Sequence, residues 1–201
     1  TVTAPFSVQN DQLNQARVTA KATDTATLIT VDTGIVRSNA TITGNSAGAQ
    51  ASGNVATNGL SLDANSLATA ADLNSLQLGK GVVSASVGSA GNRAGAILSA
   101  AGDVVDSSLT VSDNSLTASA TENEVANSMA ITANSLTNAS GHENAQAGML
   151  DFGVGAAADY ALANTQEIRG GYQLPVAVKA SAYGDFDATA GNGAVRSALK
   201  V

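Results

Sequence analysis

Residues 107–139 of this chain read SSLTVSDNSLTASATENEVANSMAITANSLTNA, and a shift of 69 residues places them without a gap on residues 38–70, SNATITGNSAGAQASGNVATNGLSLDANSLATA. The two copies are identical at 13 of these 33 positions, and four of the identical pairs are asparagines. Where aliphatic residues differ they often exchange conservatively, as Ile42 does with Val111. The chain therefore contains an internal duplication with a period of 69 residues.

The aliphatic side chains of the second copy alternate with a period of two, which puts successive side chains on opposite faces of a β-strand. The phase of this alternation changes at residues 113–114, 122–124 and 134–135, and each change includes an asparagine. Asparagine tolerates the left-handed backbone region and can bond its own main chain, so it suits corners between strands. We predict corners at six positions, namely Asn45, Asn54, Asn65, Asn114, Asn123 and Asn134.

Short strands joined by corners, repeated along the chain, are typical of an all-β fold of the β-solenoid (β-helix) class. We predict 69-residue repeats that each contain several short strands, although the period does not decide how many turns one repeat makes. Aromatic residues are only 3% of the chain, and small aliphatic residues suffice to fill the thin interior of a solenoid. Intrinsic disorder fits poorly, because 44% of residues are hydrophobic and only 12% are charged.

The register divides the chain into four segments. We expect residues 1–12 to be a leader or a donated strand, residues 13–81 the first repeat and residues 82–150 the second. Residues 151–201 form a divergent partial repeat, in which residues 190–192 lie twice the period after residues 52–54. Terminal repeats are atypical because they must cap or pair an open strand edge. The last segment is therefore either a cap or a subunit contact.

Aromatic residues and prolines gather towards the two ends of the chain. The leader and the partial repeat together are close to one period in length, which suggests that one molecule completes the last repeat of the next. Such a head-to-tail contact does not close on itself and gives filaments. We predict a homopolymer joined through its two ends, with subunit contacts at Pro5, Phe6, Phe152, Tyr160, Tyr172, Tyr183 and Phe186.

The residue types that support catalysis are scarce or isolated. His142 is the single histidine, and the chain has no cysteine, so it can form neither a His-based triad nor a thiolate metal site. The carboxylate pairs Glu122/Glu124 and Asp185/Asp187 offer too few oxygens for calcium and read as solvated charge. We predict no enzyme activity, no cofactor and no metal.

Charge and hydropathy limit the partners. A net charge of −7 with scattered basic residues argues against nucleic acid, and no apolar run is long enough to span a membrane. The first residues, Thr1 to Ala4, resemble the start of a mature secreted protein. We expect a protein secreted by a bacterium, located outside the cell or on its surface.

Residues 50–58, QASGNVATN, resemble the Gln-, Asn-, Gly- and Ala-rich repeats of curli-type subunits. The longer text of residues 35–140, in which Asn-Ser, alternating Ala, Gly-Asn and Asn-Ser-Leu succeed one another, is similar to the repeats of the holdfast anchor protein D type from stalked bacteria. This resemblance implies an extracellular, non-enzymatic protein that serves surface attachment.

Taken together, these features favour a structural protein that forms a fibre, a surface adhesin or part of a biofilm matrix. A cell-surface anchor or an exopolysaccharide remains open as a further partner. The alternative function is a polysaccharide-binding or tailspike-like solenoid module.

Overall fold

Parallel strands stacked in three layers build the described part of the chain. The computed structural model describes residues 6–136, 160–169 and 177–201, and these ranges contain strands and no helix. The first layer holds β1 to β6, which are Phe6–Asn14, Arg17–Ala22, Ala26–Val31, Ile35–Val36, Asn39–Thr43 and Ser46–Leu67. The second layer holds β7 to β12, which are Ala71–Gly79, Val82–Val87, Ala94–Ala100, Asp103–Val105, Ser108–Ser112 and Ser115–Leu136. The third layer holds β13 to β17, which are Tyr160–Ile168, Ala177–Ala182, Gly184–Ala190, Gly193–Val195 and Ala198–Lys200.

Each of the first five strands of the second layer lies between its counterparts in the first and third layers, and β12 pairs with β6. Ile35 pairs with Val104, and Thr41 pairs with Thr110, so paired residues of the first two layers are 69 positions apart. One repeat is therefore one turn of the solenoid. The predicted all-β solenoid and its 69-residue repeat are confirmed.

The register departs from this period in two places. The first strands pair Phe6 with Ala71, an offset of 65, because residues 88–93 separate β8 from β9 whereas only residues 23–25 separate β2 from β3. The third layer is offset by about 90, since Ala190 pairs with Ala100. The alignment of residues 190–192 with residues 52–54 was therefore wrong. Residues 137–159 separate β12 from β13, whereas three residues separate β6 from β7, and this extra length shifts the third layer.

The first strand places the expected leader inside the first layer. β1 pairs along its whole length with β7 of the same chain. Residues 6–12 are therefore already hydrogen-bonded within their own molecule, and the prediction that they complete the last repeat of a neighbour was wrong. Residues 1–5 lie outside the described residues.

The chain divides into two compact units, and their interiors differ. The unit formed by Val18–Ala51, Val83–Ala120 and Val178–Val201, here called the apolar unit, has the aliphatic interior that the composition predicts. Its main buried cluster consists of Ile35, Ile42, Ala96, Leu98, Ala100, Val104, Leu109, Val111 and Ala188. Alternate residues of each strand enter this cluster, as expected for stacked strands with one buried face.

The unit formed by Thr1–Arg17, Ser52–Val82 and Thr121–Ala177, here called the amide unit, fills much of the space between β7 and the long strands with Asn and Gln. Asn54 Nδ2 donates to the Leu78 carbonyl oxygen at 3.1 Å, and Gln77 Nε2 donates to the Glu124 carbonyl oxygen at 2.8 Å. A side-chain amide offers donors and an acceptor at once, so it can be buried between strands at little cost when all are used. The expectation of a purely aliphatic interior was wrong for this unit.

Corners form where the backbone enters the left-handed region, and only some of the predicted asparagines lie there. Asn45 and Asn114 do precede β6 and β12, directly after Gly44 at φ 72° and Asp113 at φ 54°. The other four predicted corners, Asn54, Asn65, Asn123 and Asn134, lie inside the two 22-residue strands β6 and β12.

The predicted change of phase near Asn123 is present without a break in the strand. The less exposed side chains are at even positions up to Ala120, and at odd positions from Asn123 onward. The strand continues because the side chain of Asn123 bonds to neighbouring chains and leaves its own main chain free for the sheet. The repeats thus combine short strands with one long strand each.

Candidate assembly interface

The outer edge of each terminal layer in the apolar unit is uncovered. Leu98 in the middle layer is 0% exposed, whereas Ile29, its partner in the first layer, is 39% exposed although it lies in the same inward-facing column. Leu109 is also 0% exposed, and its third-layer partner Leu199 is 41% exposed. The side chains point inward in every layer, so the difference in exposure comes from the missing neighbour at each end.

The amide unit shows the same difference. Leu73 is 0% exposed, and its third-layer partner Leu162 is 49% exposed. Leu78 is buried, whereas its first-layer partner Leu13 is exposed. An uncovered strand edge also presents unpaired main-chain N–H and C=O groups, which form a template for another strand. Each unit therefore has two open strand edges with partly exposed apolar side chains.

A glutamine ladder crosses all three layers of the amide unit. Gln77 Nε2 donates to Gln12 Oε1 at 2.7 Å, and Gln166 Nε2 donates to Gln77 Oε1 at 3.0 Å. The three residues occupy one register position in β1, β7 and β13. Each donated bond points from a higher layer to the layer below it, so the ladder has a direction.

A serine ladder crosses the apolar unit at the corner before β5, β11 and β17. The Ser38 main-chain N–H donates to Ser107 Oγ at 3.0 Å, and the Ser107 N–H donates to Ser197 Oγ at 3.0 Å. Each hydroxyl also donates to the carbonyl oxygen two residues earlier, at 2.7–3.1 Å. The same local geometry therefore recurs in each layer.

Asparagine ladders join β6 to β12. Asn54 Nδ2 donates to Asn123 Oδ1 and Asn58 Nδ2 donates to Asn127 Oδ1, both at 2.8 Å. Two further pairs, Asn45 with Asn114 and Asn65 with Asn134, bond in the same way at 2.9 and 2.7 Å. All four pairs are 69 residues apart. The asparagines identified from the sequence thus act mainly as links between layers.

Charged residues meet at the corner occupied by Arg37, Asp106 and Arg196, whose φ values are 50°, 48° and 47°. Arg196 donates to both carboxylate oxygens of Asp106, at 2.6 and 2.8 Å. This contact lowers the pKa of Asp106 and raises that of Arg196. A second bidentate pair, Arg93 with Asp185, bonds at 2.6 and 2.8 Å. All four side chains are exposed to a degree that makes these pairs weak contributors to stability.

Glu122 is buried, which corrects the expectation that it carries solvated charge. It is 2% exposed, and its carboxylate lies where Gly53 and Gly79 leave room, since a Cβ at Gly79 would collide with it. Asn14 Nδ2 donates to Glu122 Oε1 at 2.9 Å, and Oε2 has no partner among the described residues. Glu124, two residues on, is exposed as predicted. A single buried carboxylate does not make a metal site, and the described residues contain no cluster of three metal-ligating side chains.

A polar groove of about 340 Å³ opens in the apolar unit. The turn before β3, the beginnings of β6 and β12, and β15 line it. Its polar side chains are those of Asp24, Thr25, Thr27, Asn45, Ser46, Asn114 and Ser115, and its aromatic ring is that of Phe186. Hydroxyl, amide and carboxylate groups beside one ring suit a hydroxyl-rich ligand better than an apolar one.

The aromatic residues predicted as subunit contacts occupy the outer layers where they are described. Phe6 begins β1 in the first layer, and Tyr160 begins β13 in the third, at the same register position. Tyr183 and Phe186 belong to the third layer and are 47% and 36% exposed. Pro5, Phe152 and Tyr172 lie outside the described residues. Sequence reasoning missed the glutamine and serine ladders, although Gln and Ser at matching positions were visible once the offsets of 65 and 90 were known.

Comparison of the chain with protein-family models, with curated proteins and with solved structures finds no match. Among the described residues, no helix has the length and apolar character needed to cross a membrane. The contacts within the chain therefore carry the functional assignment.

Proposed function

We propose that this protein is an extracellular structural protein that polymerises head to tail into a fibre, by stacking of solenoid layers. The observation that carries the proposal is the pair of open edges, where Ile29 and Leu199 stay partly exposed while their middle-layer partners Leu98 and Leu109 are fully buried. Adding a second copy would cover both edges with the same kind of strand that covers them inside the chain. Contacts between two different surfaces of one molecule propagate without closure, which gives filaments.

The proposed biological role is that of a secreted bacterial adhesin or a component of a biofilm matrix. The sequence resemblance to holdfast-anchor and curli-type repeats supports this role. So does the absence of a cluster of metal-ligating or catalytic side chains in the described residues. In such a fibre, main-chain hydrogen bonds between layers would carry tensile load along the stack.

Electron microscopy of the purified protein tests assembly, and two adjacent residues supply a matched pair of variants. Ile29 faces inward at the open first-layer edge, and Leu28 next to it faces outward with 63% exposure. Ile29→Lys should shorten or abolish fibres, because a charge would be buried at the junction. Leu28→Lys should leave fibres intact.

Circular dichroism must show that both variants keep the β-fold as monomers. Wild-type protein that stays monomeric at high concentration over days would contradict the proposal. Equal assembly of the two lysine variants would place the contact elsewhere on the molecule.

Polysaccharide binding is the second candidate function, and the groove beside Phe186 is the observation that favours it. The groove offers hydrogen-bonding groups of both kinds and one ring for a sugar face, which is how concave sites orient polar ligands. Titration calorimetry with a panel of neutral oligosaccharides tests it. Phe186→Ala should weaken binding at least tenfold, whereas Tyr183→Ala, outside the groove lining, should not. Binding that is the same in all three proteins would exclude this site.

A further inference from the structure

We infer that copies of this chain stack in the same register that joins the layers within one copy, so that β13 of one molecule receives β1 of the next and the glutamine ladder continues across the junction. This inference rests on the proposed head-to-tail assembly and specifies its contact. The occupant of the open edge is thus a second copy of the same chain.

The two ends of the glutamine ladder are chemically complementary. In the middle of the ladder, Gln77 Nε2 uses both of its hydrogens, one for the Glu124 carbonyl oxygen and one for Gln12 Oε1 in the layer below. Gln12 repeats the first of these bonds by donating to the Val55 carbonyl oxygen at 3.0 Å. Its second hydrogen has no acceptor among the described residues. At the other end, Gln166 donates to Gln77, and its own Oε1 accepts from no described residue.

The first layer therefore ends with an unused amide donor and the third layer ends with an unused amide acceptor. If a new copy is placed on the third layer with Gln12 in register with Gln166, the donor meets the acceptor, and each amide then bonds as Gln77 does. A stack in the opposite direction, first layer on first layer, would bring two donors together. The ladder thus specifies both the register and the head-to-tail direction.

The serine ladder in the apolar unit gives an independent indication of the same rule. Within the chain, the main-chain N–H of a lower serine donates to the hydroxyl oxygen of the serine above it. Ser38 Oγ at the lower end donates to the Val36 carbonyl oxygen at 3.1 Å, as the other two hydroxyls do to their counterparts. It is therefore already oriented to accept from Ser197 N–H of a preceding copy.

Cysteine pairs test the register because the chain contains no cysteine of its own. Neighbouring strands lie about 4.8 Å apart, within the Cα separation that a disulfide requires. Inside one molecule the β1 and β13 positions are two strand spacings apart, roughly 9.6 Å, which is too far for a disulfide. The double variant Gln12→Cys/Gln166→Cys should therefore crosslink only between copies. After assembly and oxidation it should give a ladder of covalent multimers on a non-reducing denaturing gel.

Two controls isolate the register. Gln12→Cys alone should give no ladder, because each chain then lacks the second thiol at the junction. Gln9→Cys/Gln166→Cys keeps two thiols but shifts one by three residues, roughly 10 Å along the strand and onto the opposite face, so it should not crosslink either. A ladder of equal strength in this shifted pair would overturn the inference.

A second pair guards against loss of folding in the first. Ser38→Cys/Ser197→Cys changes only oxygen to sulfur at two positions and should crosslink in the same way. Fibres in the microscope without covalent ladders from either pair would reject the register while leaving the proposed fibre function intact. Absence of fibres from wild-type protein would reject both.

Discussion

Ser75 and Asn127 show what a single residue contributes to the amide unit. In the first layer, Asn10 Nδ2 donates to Asn58 Oδ1 at 2.6 Å. The second layer has Ser75 in register with Asn10, and Asn127 follows Asn58 by 69 positions. The shorter serine leaves Ser75 Oγ and Asn127 Nδ2 buried without partners among the described residues. A position with two unpaired polar atoms is a site where one substitution can improve the fold.

We expect Ser75→Asn to raise the free energy of unfolding by about 1 kcal/mol, because the new amide repeats the first-layer bond and satisfies a buried group. Denaturant unfolding followed by circular dichroism measures the change. Ser61→Asn, at an exposed position of β6, is the control and should be nearly neutral. Destabilisation by Ser75→Asn would mean that the second layer has no room for the longer side chain.

Asp106 gives a pH dependence whose sign follows from its ion pair. The Arg196 guanidinium, hydrogen-bonded to the carboxyl, holds the pKa of Asp106 below its ordinary value in the folded chain. A depressed folded-state pKa contributes stability above the unfolded pKa, near 3.9, and this contribution is lost as the pH falls through the folded value. The contribution is small because the pair is exposed to solvent and salt.

The difference in melting temperature between wild type and Asp106→Asn should therefore be small and positive at pH 7 and should vanish below about pH 3. Asp32→Asn is a suitable control, since Asp32 is exposed and no ion pair to it occurs among the described residues. A difference that grows on acidification would contradict this assignment of the ion pair.

The long strands β6 and β12 carry the asparagine ladders, and burial decides how much each contributes. Asn54 is buried and donates both to the Leu78 carbonyl oxygen and to Asn123 Oδ1. Asn65 forms one exposed link, accepting from Asn134. Removing a buried amide leaves its former partners desolvated and unpaired, whereas water replaces an exposed one.

Asn54→Ala should therefore lower the free energy of unfolding by about 2 kcal/mol, and Asn65→Ala by about 0.5 kcal/mol or less. Both substitutions remove the same atoms from the same strand, so equilibrium unfolding of the pair compares burial directly. Equal losses in the two variants would show that the ladders act through strand propensity and not through their hydrogen bonds.

Charge governs assembly at the scale of the whole molecule. Each copy carries a net charge of −7, so successive copies in a fibre repel one another. Stacking in the inferred register would also bring Arg196 of one copy onto the corner position of Arg37 in the next, since both lie in one column with Asp106. Both effects are electrostatic and involve exposed groups, so salt should screen them.

Fibres should therefore form faster at 0.5 M than at 0.02 M sodium chloride, by roughly tenfold in the apparent elongation rate if screening removes about 1.4 kcal/mol of repulsion. Light scattering of matched protein concentrations measures the rate. Arg37→Gln should reduce the dependence on salt. Slower growth at high salt would instead indicate that attractive charge pairs dominate the junction.

The amino-acid sequence by itself determined the fold class, the 69-residue period and the asparagine pairs, because these depend on local alternation and on a duplication that the chain carries in its own text. It also indicated the phase change near Asn123, since alternate side chains must face the same side of a strand. The third-layer register was out of reach, because its offset of about 90 depends on the length of the connection after β12 and not on similarity between repeats.

Only the tertiary structure decided which side chains meet across layers. Gln12, Gln77 and Gln166 lie at unequal spacings in the chain, and their ladder exists because pairing of β1, β7 and β13 brings them to one register position. The same holds for the buried Glu122, whose place between Gly53 and Gly79 joins residues from three separate segments. Contacts between layers depend on the sum of all connection lengths, and that sum becomes visible only when the layers are stacked.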